Sequence, residues 1–121
     1  MEKHLRNYAY LGDAVWELHV RVQTVEFTNN ARELHKITTA RVKAGFQAEL
    51  LAALEPSLTE EEREIARRAR NLPVPVGRRN NQSEYRQATA FEALIGWWYK
   101  HDKNRLEEVL KQEALQKIFS M

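Results

Sequence analysis

The chain contains no cysteine. Disulfides and thiolate-bound zinc are thereby excluded, which is compatible with a reducing compartment. No apolar run approaches the roughly 18 residues that a membrane-spanning helix needs, and the N-terminal MEKHLRNYAY lacks the order of a signal peptide. Four glycines and three prolines leave little material for the many turns of an all-β fold. These absences point to a cytoplasmic, helical protein without a membrane partner. Its 121 residues suit one domain, spanning 1–121, rather than two.

What is present is globular in balance, at 43% hydrophobic and 30% charged. The net charge of +2 is unevenly spread. Residues 63–86 hold seven arginines against Glu64 and Glu84, which leaves the remainder slightly acidic. A planar guanidinium suits phosphate better than a lysine point charge does, so the stretch suggests a polyanionic partner. A solvated arginine-rich helix end explains the charge alone equally well.

Apolar residues Tyr8, Leu11, Val15, Leu18, Val22 and Val25 recur at three- and four-residue spacing, predicting a helix over 7–25. After the Asn29-Asn30 break, a short helix is expected from Ala31 to Lys36 and a longer one from Thr38 to Leu54. Pro56 ends it, and Thr59 with Glu62 has capping-box spacing for a helix running to Arg70. Residues 71–83, NLPVPVGRRNNQS, have no helical period and read as a long loop. Helix resumes near Ser83 through FEALIGWWYK, and a last one covers Lys103 to Phe119. The expectation is an all-α bundle of six or seven helices.

Two of these helices each hold one acid among apolar residues: AYLGDAVWE carries Asp13 and ATAFEALIG carries Glu92. A buried lone carboxylate costs several kcal/mol unless a cation or donor satisfies it, on the order of what buried ions show. Gly12 and Gly96 each cost about 1 kcal/mol relative to alanine inside a helix. Close approach of another helix is a good reason to keep them. Two helices crossing at these glycines would join Asp13 to Glu92, and a divalent cation would relieve the repulsion. Mg²⁺, a hard ion that retains several waters, suits such a pair. The plainer alternatives are that Asp13 caps a helix starting at Ala14 and that Glu92 pairs with an arginine.

The motifs resemble those of the ribonuclease III family. LGDAVWEL is similar to its signature core and FEALIG to its second motif. AYLGDA, Leu34-His35-Lys36, Gln47-Ala48-Glu49, Arg68-Ala69-Arg70-Asn71, and Tyr85-Arg86 followed by Thr89–Leu94 are similar to the compact Mini-ribonuclease III branch, in order from about residue 7 to 99. The resemblance implies an all-α, homodimeric endonuclease domain that cuts double-stranded RNA with Mg²⁺, Mn²⁺ being able to substitute. It makes Asp13 and Glu92 the catalytic and metal-binding residues. The implied substrate is the large-subunit (23S) ribosomal RNA precursor, cut to 5′-phosphate ends, with a ribosomal protein as a possible helper.

Two departures narrow the site. Full-length members have acids where this chain has Ala9 and Thr89, one turn from the surviving pair and on the same helix faces. The compact branch shares both changes, so they agree with membership and leave the metal count open. No double-stranded-RNA-binding domain follows in these residues, so the grip on RNA is expected from the arginine stretch. Arg67, Arg68, Arg70, Asn71 and Arg86 are the candidate contacts, with Arg78 and Arg79 on a flexible arm over 72–82.

Tyr8, Tyr10, Trp16, Trp97, Trp98 and Tyr99 concentrate on the two motif helices, and core packing accounts for most of them. The resemblance implies that Tyr10 and Trp16 bury surface between subunits. Glu17 reads as a salt-bridge residue ahead of a helper to the metal site, and His19 and His35 as packing or surface residues. A non-catalytic family member that binds RNA or a ribosomal partner is the second reading. A helical nucleic-acid binder is the third, and it leaves Asp13 and Glu92 unexplained.

Overall fold

The computed structural model describes the backbone of residues 2–120 and all their side chains except those of Glu2, Lys3 and Arg79. Among the described residues there are seven α-helices: α1 Glu2–Thr24, α2 Ala31–Val42, α3 Ala44–Leu54, α4 Glu60–Arg70, α5 Gln82–His101, α6 Lys103–Leu110 and α7 Glu113–Phe119. Two 3-10 helices, Glu55–Ser57 and Val76–Asn81, complete the chain, and the expected all-α class is observed.

The centre is α5. It buries Ala88, Ala90, Phe91, Ala93, Leu94, Ile95, Gly96 and Trp98, residues that cover every side of the helix. A helix apolar all round belongs inside a bundle, and α1, α3 and α4 pack around α5 while α6 folds back onto it.

Helix ends follow local chemistry. Thr59 accepts from the Glu62 N–H at 3.1 Å and the Glu62 carboxylate accepts from the Thr59 N–H at 2.9 Å, completing the expected capping box of α4. Asn30 caps α2 through the Arg32 and Glu33 N–H groups, and Asp102 caps α6 through that of Arg105. Glu62 does more than cap. Only 5% exposed, it also accepts from Trp98 Nε1 at 2.9 Å and from Arg105 Nε and Nη2 at 2.9 Å. Burial alone would raise its pKa, but the bonds from Arg105, Thr59 and Trp98 prevail and hold it below the ordinary value.

Three boundaries differ from the expected ones. The break between α2 and α3 falls at Lys43, in extended backbone, and not at Lys36–Thr38. Thr38 is buried inside α2, and that burial carries the helix past the expected stop. The 71–83 loop is shorter than expected because Val76–Asn81 coil into a 3-10 helix. The last helix is two, parted at Lys111 and Gln112. Continuing the Leu106–Val109–Leu110 face of α6 as one helix would have turned Glu113 and Lys117 toward the core. The break resets the phase, so that Leu115 and Phe119 are buried instead.

The helix of residues 7–25 is present, extended at its start, but its buried face is not the expected one. Leu5, Ala9, Trp16, Val20 and Thr24 point inward, whereas Leu18, Val22 and Val25 are 62%, 60% and 58% exposed. The helix is therefore apolar on two sides, only one of which the chain itself covers. Tyr10, Ala14, Leu18 and Val22 form a solvent-facing stripe at four-residue spacing.

Candidate active site

Helices α1 and α5 touch backbone to backbone. A Cβ at Gly12 would sit 1.8 Å from the Glu92 carbonyl oxygen, and one at Gly96 would sit 1.9 Å from that of Tyr8. Only glycine fits either position. Asp13 follows Gly12 and Glu92 precedes Gly96 by one turn, so the crossing brings the two acids together on one wall of a cleft of about 1040 Å³. Asp13 is exposed and Glu92 half-buried. Burial pushes the Glu92 carboxyl up to about 8, helped by the Asp13 carboxyl within hydrogen-bonding reach and opposed by a bond from Gln47. Neither plainer alternative fits: Asp13 lies in the middle of α1, and among the described residues Glu92 has no arginine partner.

Ala9 and Thr89, the positions that lack the family's further acids, line the same cleft. The Thr89 hydroxyl is turned to its own helix, donating to Tyr85 O at 2.9 Å. Among the described residues there is no group of three or more His, Cys, Asp or Glu side chains that could hold a metal. The donor set is thus two carboxylates, which fits a hard divalent cation completing its shell with water and phosphate oxygens.

Bordering the same cleft are cations that the sequence pointed to only in part. Arg78, from the 3-10 helix, lies 5.8 Å from the Tyr85 ring centroid and borders the cleft, as do Arg6 and Lys43. Arg78 was anticipated, and Arg6 and Lys43 were not. The signal for Arg6 was available: it stands two helical turns before Asp13, on the same face of α1. Gln47 also borders the cleft; its QAE segment was noted without a role.

The other basic candidates are engaged within the fold. Arg67 and Arg68 both bond the Glu64 carboxylate, and they hold it down to about 2. Arg70 pairs with Glu55 at 3.2 Å. Arg86 donates to Arg70 O at 2.6 Å and to Leu72 O at 3.4 Å, tying the chain after α4 onto α5. Its guanidinium is half-buried on these backbone carbonyls, which gives it a structural role that the sequence did not show. Asn71 is the exposed C-cap of α4. The Arg79 side chain lies outside the described residues.

Trp16 is turned into its own core, not toward the surface expected of it. It is 0% exposed within the chain, edge-on to Phe91 and donating to Arg41 O at 2.8 Å, so it has no surface left to bury against another subunit. Tyr10, by contrast, is 83% exposed. Glu17 is in the expected ion pair, 2.8 Å from Arg21. His19 stacks on Trp16, and burial lowers its pKa.

The Ribonuclease III domain family matches residues 6–103. The chain belongs to the ribonuclease III family. It is 47% identical over 106 residues to the Mini-ribonuclease 3 of Gloeobacter violaceus, covering 88% of this chain and 78% of that one. To the Mini-ribonuclease 3 of a Synechococcus species it is 44% identical over 104 residues, covering 86% and 75%. An X-ray crystal structure of a Fusobacterium nucleatum protein superimposes with a TM-score of 0.79 at 33% identity, covering 88% of each chain. This ribonuclease III-type endoribonuclease therefore sits in the compact Mini-ribonuclease 3 branch. Among the described residues no helix is long and apolar enough to cross a membrane.

Proposed function

We propose that this chain is a divalent-cation-dependent endoribonuclease that cuts double-stranded RNA as a homodimer, maturing the ends of 23S ribosomal RNA precursors in the cytoplasm. The observation that carries this reading is the meeting of Asp13 and Glu92 at the Gly12–Gly96 crossing. A carboxyl held protonated near neutrality by burial, with a second carboxyl within hydrogen-bonding reach, forms a site in need of positive charge. Asp13 and Glu92 would hold Mg²⁺, with Mn²⁺ able to replace it. When bound, such a cation lowers the pKa of water and offsets the charge that builds on a phosphodiester as it is cut.

The protein's own groups supply the rest. Arg6, Lys43 and Arg78 line the cleft that holds the acids, which suits the phosphates of a duplex read by shape and backbone. Arg67, Arg68, Arg70 and Asn71 would contact neighbouring phosphates, with Arg67 and Arg68 trading Glu64 for them. The Tyr10–Leu18–Val22 stripe pairs with its copy across a two-fold axis, which sets one site against each RNA strand. Each strand is then cut once, leaving 5′-phosphate and 3′-hydroxyl ends.

The test incubates wild type, Asp13→Asn and Glu92→Gln with a long RNA duplex and Mg²⁺. Cutting by wild type alone supports the enzyme. Binding without cutting by wild type would instead make the chain a scaffold. Mapping precursor ribosomal RNA ends in cells lacking the protein checks the substrate.

A further inference from the structure

Among the described residues, one buried atom beside the acid pair has no partner. Gln47, in the first turns of α3, is 1% exposed. Its amide carries two N–H donors and one acceptor oxygen. Nε2 donates to Val42 O at 3.1 Å and to Glu92 Oε2 at 3.3 Å. Oε1 is buried and meets no donor among the described residues. The opposite orientation of the amide is worse, since it would set Oε1 against the Val42 carbonyl, an acceptor with no hydrogen to give. The backbone enforces the arrangement. Lys43 is extended, so α2 ends at Val42 and α3 starts afresh, and Gln47 folds back onto the last carbonyl of α2.

We propose that Gln47 is a positioning residue of the cation site. Its Nε2 fixes the Glu92 carboxylate, and its Oε1 accepts a hydrogen from the water shell of the cation held by Asp13 and Glu92. The inference rests on the metal-dependent reading above. With two carboxylates as the protein ligands, most of the ion's shell is water or RNA oxygen, and water on a dication needs acceptors for its hydrogens. Gln47 borders the cleft that contains both acids, and it offers a fixed acceptor with no other use. Groups that orient the shell in this way typically change metal affinity by about 10–100-fold.

The probe is Mn²⁺ alone, titrated to millimolar levels into metal-free full-length protein and followed by calorimetry and water-proton relaxation. Wild type is compared with Gln47→Leu, Gln47→Glu and Asp13→Asn. Leucine removes donors and acceptor, whereas glutamate keeps an acceptor oxygen at the same reach. The expected order is binding by Gln47→Glu at least as tight as wild type and by Gln47→Leu about tenfold weaker or more. Equal binding by Gln47→Leu and wild type overturns the inference while leaving the cation site standing. Equal weakening by both variants does the same, since it reduces Gln47 to an anchor for Val42. Wild type that binds no better than Asp13→Asn removes the cation reading and this inference together. Should Gln47→Leu fail to fold, weaker binding by Gln47→Glu than by wild type is sufficient to overturn it.

Discussion

Gly12 and Gly96 lie against each other so closely that each would place a Cβ 2.9 Å from the other's backbone nitrogen. Alanine is the better helix former by about 1 kcal/mol, yet here its methyl would enter a backbone carbonyl that cannot rotate away. The clash decides the sign. Gly12→Ala or Gly96→Ala is expected to lower stability by about 1–3 kcal/mol net of the propensity gain, read as a reduced midpoint in urea. Activity should fall further than the folded fraction does, because the acids separate with the helices.

Glu92 gives the metal-free protein an inverted pH profile. Its folded carboxyl is pushed up to about 8, against about 4.3 in an unfolded chain. Below the lower value both states keep the proton and nothing is lost. As pH rises through the interval, the unfolded chain releases a proton that the folded one retains, and stability declines until the folded group ionises. Glu92→Gln is therefore expected to melt near wild type at pH 4 and roughly several degrees above it at pH 8. Calorimetry with a chelator present checks this, and identical melting of the two proteins at both pH values would count against the shift. Added Mn²⁺ should narrow the gap by stabilising wild type.

At Glu62, bonded by Trp98 and Arg105, the sign reverses. Glu62 is held below its ordinary pKa by Arg105, Thr59 and Trp98, so its contribution is present above the unfolded value and disappears as pH falls through the folded one. Arg105→Ala would leave a nearly buried carboxylate facing Trp98 without its counter-ion. The expected cost is about 3–5 kcal/mol at pH 7, shrinking in acid, as measured by denaturant melts at the two pH values. Cation affinity should not change.

The arginines divide by the same measurement. Arg78→Ala should weaken RNA binding and reduce the salt slope of log K by about one, with cation binding unchanged. Arg86→Ala should instead lower stability and leave the slope of the folded protein alone, because its guanidinium is held by Arg70 O and Leu72 O. A slope unaffected by Arg78→Ala would take that residue out of the RNA interface.

The uncovered face of α1 makes a further prediction. Leu18→Glu with Val22→Glu places charge on residues 62% and 60% exposed, so the fold itself should tolerate the pair. Equilibrium sedimentation should then report a monomer where wild type reports a dimer. Wild type sedimenting as a monomer at micromolar concentration would remove the two-fold cutting arrangement.

How much of this was legible follows from which signals are local. The Thr59–Glu62 box and the glycines beside Asp13 and Glu92 announce their purpose within a few residues, and the crossing they imply is the one observed. The face of α1 was misjudged because that helix is apolar on both sides, and period alone cannot say which side the chain will cover. Trp16 was placed by family resemblance and Arg86 by its position in the basic stretch, and neither signal shows the contacts each makes with a distant segment, Arg41 and the 70–72 backbone. The breaks at Lys43 and Lys111 carry no proline or Asn pair to mark them; they arise from what each flanking segment buries. Gln47 needed coordinates, since an acceptor without a donor is invisible in sequence.

Tyr10 begins the apolar stripe of α1 and also borders the cleft that holds Asp13 and Glu92. Under the proposed dimeric reading, a neighbour seated on that stripe would trim the mouth through which a nucleic-acid strand enters. On that reading assembly state and strand access would share one aromatic ring, so dilution that parts two copies would reshape each reaction chamber as well as halve the number of chambers per particle.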